Sequence, residues 1–153
     1  MPEIILEKLT RWIHEIPLEV FFEAARSRPP GLGKNPIFLG LQKDMRALVP
    51  VDGSTWVHDI DVLIEPHQTT HQGQQWHAHP EWTAIFYVSP GEPVVPLRIR
   101  SRDEVTEIIP EPGDCVIMPP DLEHKVADSH SDVIRLSFAM LVQVPGRESR
   151  YAS

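Results

Sequence analysis

Two histidine-bearing segments constrain this chain more than any other feature. In Trp76-His77-Ala78-His79 the two imidazoles are separated by one residue. If the segment is extended, the two-residue side-chain repeat of a strand turns both toward one point, as a metal chelate requires. A third imidazole, His124, closes a second compact segment, Pro112-Gly113-Asp114-Cys115-Val116-Ile117-Met118-Pro119-Pro120-Asp121-Leu122-Glu123-His124. Three neutral imidazoles on one side of an ion leave positions open for water or substrate, which separates a reactive site from a closed structural one. The reading for His77, His79 and His124 is therefore metal ligation.

The surrounding pattern is mostly that of strands. With 153 residues the chain has the size of one domain. Short apolar runs at 37–41, 45–49, 55–58, 60–64, 83–88, 97–100, 105–109, 115–118 and 133–144 are punctuated by Gly, Pro and Asp, as in a many-stranded antiparallel sandwich or barrel. Sixteen prolines favour loops and strand edges over long helices. In the last run Ile134, Leu136, Phe138, Met140 and Val142 share one apolar face, while Arg135, Ser137 and Ala139 take the other.

Helices are expected before the barrel. Ile5, Leu6, Leu9, Trp12, Ile13 and Ile16 recur at helical spacing over 4–15, and a second helix is expected over 18–27, opened by Pro17 and closed by Arg28-Pro29-Pro30-Gly31. The division is thus a helical segment over 1–30 that covers one face of a sheet, a barrel over 31–145 and a polar, frayed tail over 146–153. Residues 65–75, polar and rich in Gln, read as a loop at the mouth of the site.

A formal charge of −8 without a dense Lys/Arg run argues against nucleic acid and anionic membranes as partners, and leaves a small-molecule substrate. The lone cysteine, Cys115, reads as buried core in a reducing, cytoplasmic setting. The acidic N-terminal stretch has no sustained apolar region and reads as neither a signal peptide nor a membrane span. His67 and His71 read as solvated loop residues, and His14, His58 and His130 as surface or packing residues. Trp76, Trp82, Phe86 and Tyr87 supply aromatic area beside the histidine pair, most of it for packing, with one or two lining the pocket.

The two segments resemble the signature motifs of the cupin superfamily. The first is matched by His77, His79, the Ile85-Phe86-Tyr87-Val88 run and Gly91; the second by Gly113, Pro119 and His124; together they span about residues 70–140. The resemblance implies an all-β fold, a double-stranded β-helix or jelly-roll barrel, preceded here by one or two N-terminal helices. It also implies a divalent metal, Fe(II) first and Mn, Ni, Cu or Zn as alternatives, and a homodimer. In an ungapped reading Ala84 stands where cupins usually carry a glutamate ligand, so the site is similar to that of the three-His cupin dioxygenases. Such a site keeps the ion's full charge and favours a chelated anionic or enolisable substrate.

A second resemblance rests on Arg135. It follows His124 by eleven residues and precedes Ser137 by two, similar to the segment with which 2-oxoglutarate-dependent oxygenases of the same fold hold the cosubstrate carboxylate. In that reading His79-Pro80-Glu81 and His124 would form the metal triad and Arg135 would bind 2-oxoglutarate. Glu81 otherwise reads as a supporting or surface carboxylate, and Glu81, Arg135 and Tyr87 are the candidates for catalytic roles. A third possibility is a non-redox metal cupin, an isomerase or lyase, or a small-molecule-binding module.

Overall fold

The computed structural model describes residues 3–51, 55–63, 75–92, 94, 96–126 and 133–147. Among the described residues, eight strands form two antiparallel sheets. The larger contains β1 (Ile5–Lys8), β2 (Thr55–Leu63), β3 (Trp82–Glu92), β6 (Asp114–Met118) and β8 (Val133–Val142), in the order β1-β6-β3-β8-β2. The smaller contains β4 (Leu97–Ser101), β5 (Glu104–Ile108) and β7 (Glu123–Val126), in the order β5-β4-β7. Three helices, α1 (Arg11–Glu15), α2 (Leu18–Ser27) and α3 (Pro36–Leu48), and a 3-10 turn at Leu32–Lys34 complete the described chain.

Strand alternation gives the large sheet two different faces. On one, Trp82, Ala84, Phe86 and Val88 of β3, Cys115 and Ile117 of β6, and Leu136, Phe138, Met140 and Val142 of β8 pack in one cluster with Phe21 of α2 and Phe38, Leu41 and Met45 of α3. Phe38 lies at the centre, its ring 5.5 Å from Phe21 and 5.3 Å from Phe138. On the other face Tyr87, Val116 and Met118 meet Leu97 and Ile99 of the small sheet, with Leu122 beside them. The large sheet is therefore buried on both sides, by helices on one and by the second sheet on the other.

Several sequence expectations are corrected. Residues 4–15 do not form one helix. Ile5–Lys8 pairs with β6 as an edge strand, Lys8 opposite Asp114, and only Arg11–Glu15 is helical. The pairing supplies backbone partners and an ion pair between Lys8 and Asp114 at 2.5 Å, so tertiary context overrides local periodicity. The two short runs at 37–41 and 45–49 are not strands but one helix, α3. Asn35 caps it by accepting from the Ile37 amide at 3.1 Å, Pro36 occupies its first turn, and Phe38, Leu41 and Met45 recur on its buried face. The runs at 55–58 and 60–64 join into a single β2 ending at Leu63, with a register shift between Val57 and Asp59. The run at 83–88 extends to Glu92 as β3, after a register shift between Tyr87 and Ser89. β7, which carries His124, was not read from the sequence as a strand. The helix over 18–27 is found as expected, with Arg28 closing it in the left-handed conformation at φ 43°. Of the expected loop at 65–75, residues 65–74 lie outside the described residues, as does the tail beyond 147. Arg147, however, is tied down by Asp121, which accepts two hydrogen bonds of 2.7 Å from its guanidinium.

Candidate functional site

The three histidines come together between the sheets. His77 and His124 form an isolated antiparallel pair, each amide donating to the other's carbonyl, at 3.1 and 2.9 Å. The His79 carbonyl accepts from the Asp121 amide at 2.8 Å, so both histidine segments are held by backbone bonds before any side chain contributes. The rings stand with centroids 5.2 Å (His77–His79), 4.3 Å (His77–His124) and 5.3 Å (His79–His124) apart. One ring nitrogen from each lies within 4.8 Å of the other two.

Hydrogen bonding prepares two of the rings for ligation. Nδ1 of His77 contacts the Gln75 carbonyl at 2.8 Å, and Nδ1 of His124 contacts the Leu122 carbonyl at 3.0 Å. A carbonyl can only accept, so each Nδ1 carries a proton, and in the neutral ring the lone pair falls on Nε2. This is the tautomer that ligates a metal through Nε2. His79 and His124 are buried, so an ion bound here would be partly screened from water. The donor set fits a divalent transition metal, and among the described residues no carboxylate or thiol joins the group.

The imidazoles open on a cavity of about 60 Å³ lined also by Thr83, Ile85 and Tyr87 of β3, Leu97 of β4, Val126 of β7, and Arg135 and Ala139 of β8. A single water needs roughly 10–15 Å³, so the space admits more than one such molecule. Arg135 is the one permanently charged side chain in the cavity's described lining. Arg135 is 4 % exposed, and its Nε is buried without a hydrogen bond among the described residues. The hydroxyl of Ser137, fully buried and two residues along the same strand face, is likewise unbonded among them, and Ser137 stands opposite Tyr87 in the β3–β8 register. A guanidinium in a cavity whose described lining contains no carboxylate is a ready partner for an anion.

The other sequence candidates separate cleanly. Tyr87, 1 % exposed, lines the cavity, while Trp82 and Phe86 pack on the helix side. Glu81 is buried outside the histidine group, and its charge acts on Arg147, raising that guanidinium's pKa after the larger effect of Asp121. Ala84 faces the helices, so the ungapped alignment placed the missing carboxylate on the wrong side of β3. The cavity-facing neighbours are Thr83 and Ile85, and neither supplies a carboxylate. Thr83, Ile85, Leu97, Val126 and Ala139 were not identified as site residues from the sequence, although Thr83 and Ile85 share the strand parity of Tyr87 and Ala139 that of Arg135. Cys115 is fully buried, and desolvation pushes its thiol up to about 12, as fits inert core. His14 is exposed; His67, His71 and His130 lie outside the described residues, as does the side chain of His58.

No protein-family model matches the sequence, and a search of curated proteins finds no match. Solved structures do resemble it. A prolyl-4-hydroxylase from Pseudomonas putida superposes with a TM-score of 0.58 at 14% identity, over 95% of this chain and 88% of that one. The fold is the double-stranded β-helix. A viral collagen prolyl hydroxylase from Paramecium Bursaria Chlorella virus-1 gives 0.56 at 15% identity, over 91% and 90% of the two chains. A non-heme monooxygenase, as its nickel complex, gives 0.53 at 10% identity, over 95% and 75%. These likenesses are of double-stranded β-helix architecture, as the motif resemblance implied; the chemistry has to be argued from the site. No helix of the described residues is long and apolar enough to cross a membrane.

Proposed function

We propose that this double-stranded β-helix is an Fe(II)- and 2-oxoglutarate-dependent oxygenase acting on a small organic substrate. The observation that carries the reading is the buried Arg135 guanidinium in the same cavity as His77, His79 and His124. The resemblance in fold to prolyl hydroxylases and a non-heme monooxygenase supports it. His77, His79 and His124 would hold the metal through neutral nitrogens. Arg135 would bind the far carboxylate of 2-oxoglutarate, with Ser137 and Tyr87 beside it as hydroxyl partners. Ile85, Leu97, Val126 and Ala139 keep the rest of the chamber apolar and limit water access.

Charge favours this cosubstrate. Three imidazoles neutralise none of the ion's charge and Arg135 adds a further positive charge, so a dianion is the complement of the chamber. When bound, Fe(II) with O2 supplies the redox chemistry that couples oxidative decarboxylation of 2-oxoglutarate, to succinate and CO2, with insertion of the second oxygen atom into the substrate. The chain's part would be to hold the dianion between Arg135 and the three histidines and to keep bulk water from it.

A second reading rests on the absence of a carboxylate from the ligand group among the described residues. A three-His ion could chelate an enolisable substrate itself, as a dioxygenase without cosubstrate. The deciding experiment is anaerobic purification, Fe(II) loading, and measurement of O2 uptake and succinate release across a panel of small acids, diketones and phenols. Succinate formed in step with O2 uptake, with Arg135→Leu raising the 2-oxoglutarate KM by about tenfold to a hundredfold, is the expected result. Substrate-dependent O2 uptake indifferent to 2-oxoglutarate and to Arg135 would transfer the assignment to the second reading. Activity retained with zinc in the absence of O2 would remove both.

A further inference from the structure

Trp76 precedes the first histidine of the cluster and has no place inside the cavity. Because side chains alternate along an extended segment, His77 turns inward and Trp76 turns outward. There its ring meets two cations of the small sheet: Cζ of Arg100 lies 4.3 Å, and Nζ of Lys125 5.0 Å, from the ring centroid. Both cations sit beside the second histidine segment. Lys125 directly follows His124 on β7, and Arg100 of β4 is opposite Glu123 in the register and forms an ion pair with it.

The backbone around His77 explains why such a contact matters. Its pairing with His124 is an isolated bridge, and the further backbone bond between the two segments, from the Asp121 amide to the His79 carbonyl, lies on the side away from Trp76. The His77 ring itself is oriented by the contact of its Nδ1 with the Gln75 carbonyl, one residue before Trp76. Trp76 therefore joins that carbonyl to the imidazole it orients. The indole, held against Arg100 and Lys125 on the opposite side of the backbone, fixes this stretch from the end that the His79–Asp121 bond does not reach.

We propose that Trp76 is a positioning residue: a cation–π clamp on the outer surface of the small sheet that sets the orientation of His77 within the metal site. This rests on the three-His reading above. It assigns Trp76 no contact with metal, cosubstrate or substrate. The clamp acts as an outer-shell partner does, by restricting a ligand's orientation before the ion arrives.

The test is titration of the full metal-free chain with Co(II), followed by visible absorption, on wild type, Trp76→Leu, Trp76→Phe and Lys125→Met, with the thermal midpoint of each recorded. Trp76→Leu is expected to weaken Co(II) binding about tenfold and to change the ligand-field bands. Trp76→Phe, which keeps an aromatic face, should recover affinity to within about threefold of wild type. Lys125→Met, which keeps the aliphatic stem and loses the charge, should fall between, and it preserves the test if Trp76→Leu fails to fold. A lower Tm with unchanged Co(II) affinity and spectrum would make Trp76 an ordinary packing residue and overturn the proposal. If wild type itself fails to bind Co(II), the metal site is wrong and the clamp falls with it. Wild-type binding that Trp76→Leu and Lys125→Met leave intact sinks the clamp alone.

Discussion

Gly113 shows how a residue legible only as part of a motif acquires a physical reason. Its φ of 89° lies in the region L side chains rarely adopt. A Cβ built there would meet Thr10 Cγ2 at 2.9 Å and the Thr10 backbone Cα at 3.1 Å. Its amide donates to the Tyr87 carbonyl and its carbonyl accepts from the Leu9 amide, both at 2.8 Å. The turn thus joins the end of β1 to β3 at a cavity residue. Gly113→Ala is expected to lose about 1–3 kcal/mol of stability, measurable by urea unfolding. At this scale the convergence of the three histidines could be read from their spacing, and Arg135 lies in the same cavity. The Thr83 wall position was not readable, because an alignment without gaps is blind to strand parity, and one residue of offset exchanges the two faces.

At the scale of elements, the helical layer was the hardest to read. Ile37, Phe38, Leu39 and Leu41 form a short apolar run that suits a buried strand or a helix equally, and Gly40 within it mimics a turn. The structure shows another role for Gly40: a Cβ there would collide with the Trp12 indole, whose Nε1 donates to Asp44 at 2.7 Å on the next turn of α3. α3 is thus docked on α1 by a tryptophan lying across a glycine, and on the sheet by Phe38. Phe38→Ala removes a fully buried ring that touches both α2 and β8, and should cost about 3–5 kcal/mol in a denaturant titration. β1 was misread for a related reason. Its apolar positions satisfy a helical period, yet β6 offered an unpaired edge, and no local pattern reports the presence of a distant edge.

Across the whole molecule, charge and closure meet at the C-terminal end. With a formal charge of −8 the chain carries an excess of carboxylates, and Asp121, in a left-handed turn at φ 67°, gains the Arg147 guanidinium from a turn beyond β8. Hydrogen bonds from Arg147 hold the Asp121 carboxyl below its ordinary value, outweighing the opposing effect of desolvation. A depressed folded-state pKa stabilises the fold fully above the unfolded-state value of about 3.9, and that contribution disappears as the pH falls through the folded value. Asp121→Asn should therefore lower the thermal midpoint slightly at neutral pH and flatten its decline below pH 4 or so. A variant whose midpoint falls as steeply in acid as wild type would show that the pair contributes nothing. The β-rich class and the approach of two distant histidine segments were visible in sequence, since alternation and turn residues encode them. The pairing of Arg147 with Asp121 joins two solvent-exposed segments and leaves no periodic trace.

Because the large sheet is covered on both sides, neighbouring residues of β3 and β8 serve different ends. Ala84, Phe86, Leu136, Phe138 and Met140 hold the helices, while Thr83, Ile85, Tyr87, Arg135 and Ala139 line the chamber. In evolutionary terms the strand is two interleaved texts. A lineage can rewrite the alternate letters facing the chamber, and so change what the chamber can hold, while the letters that hold the helices stay as they were.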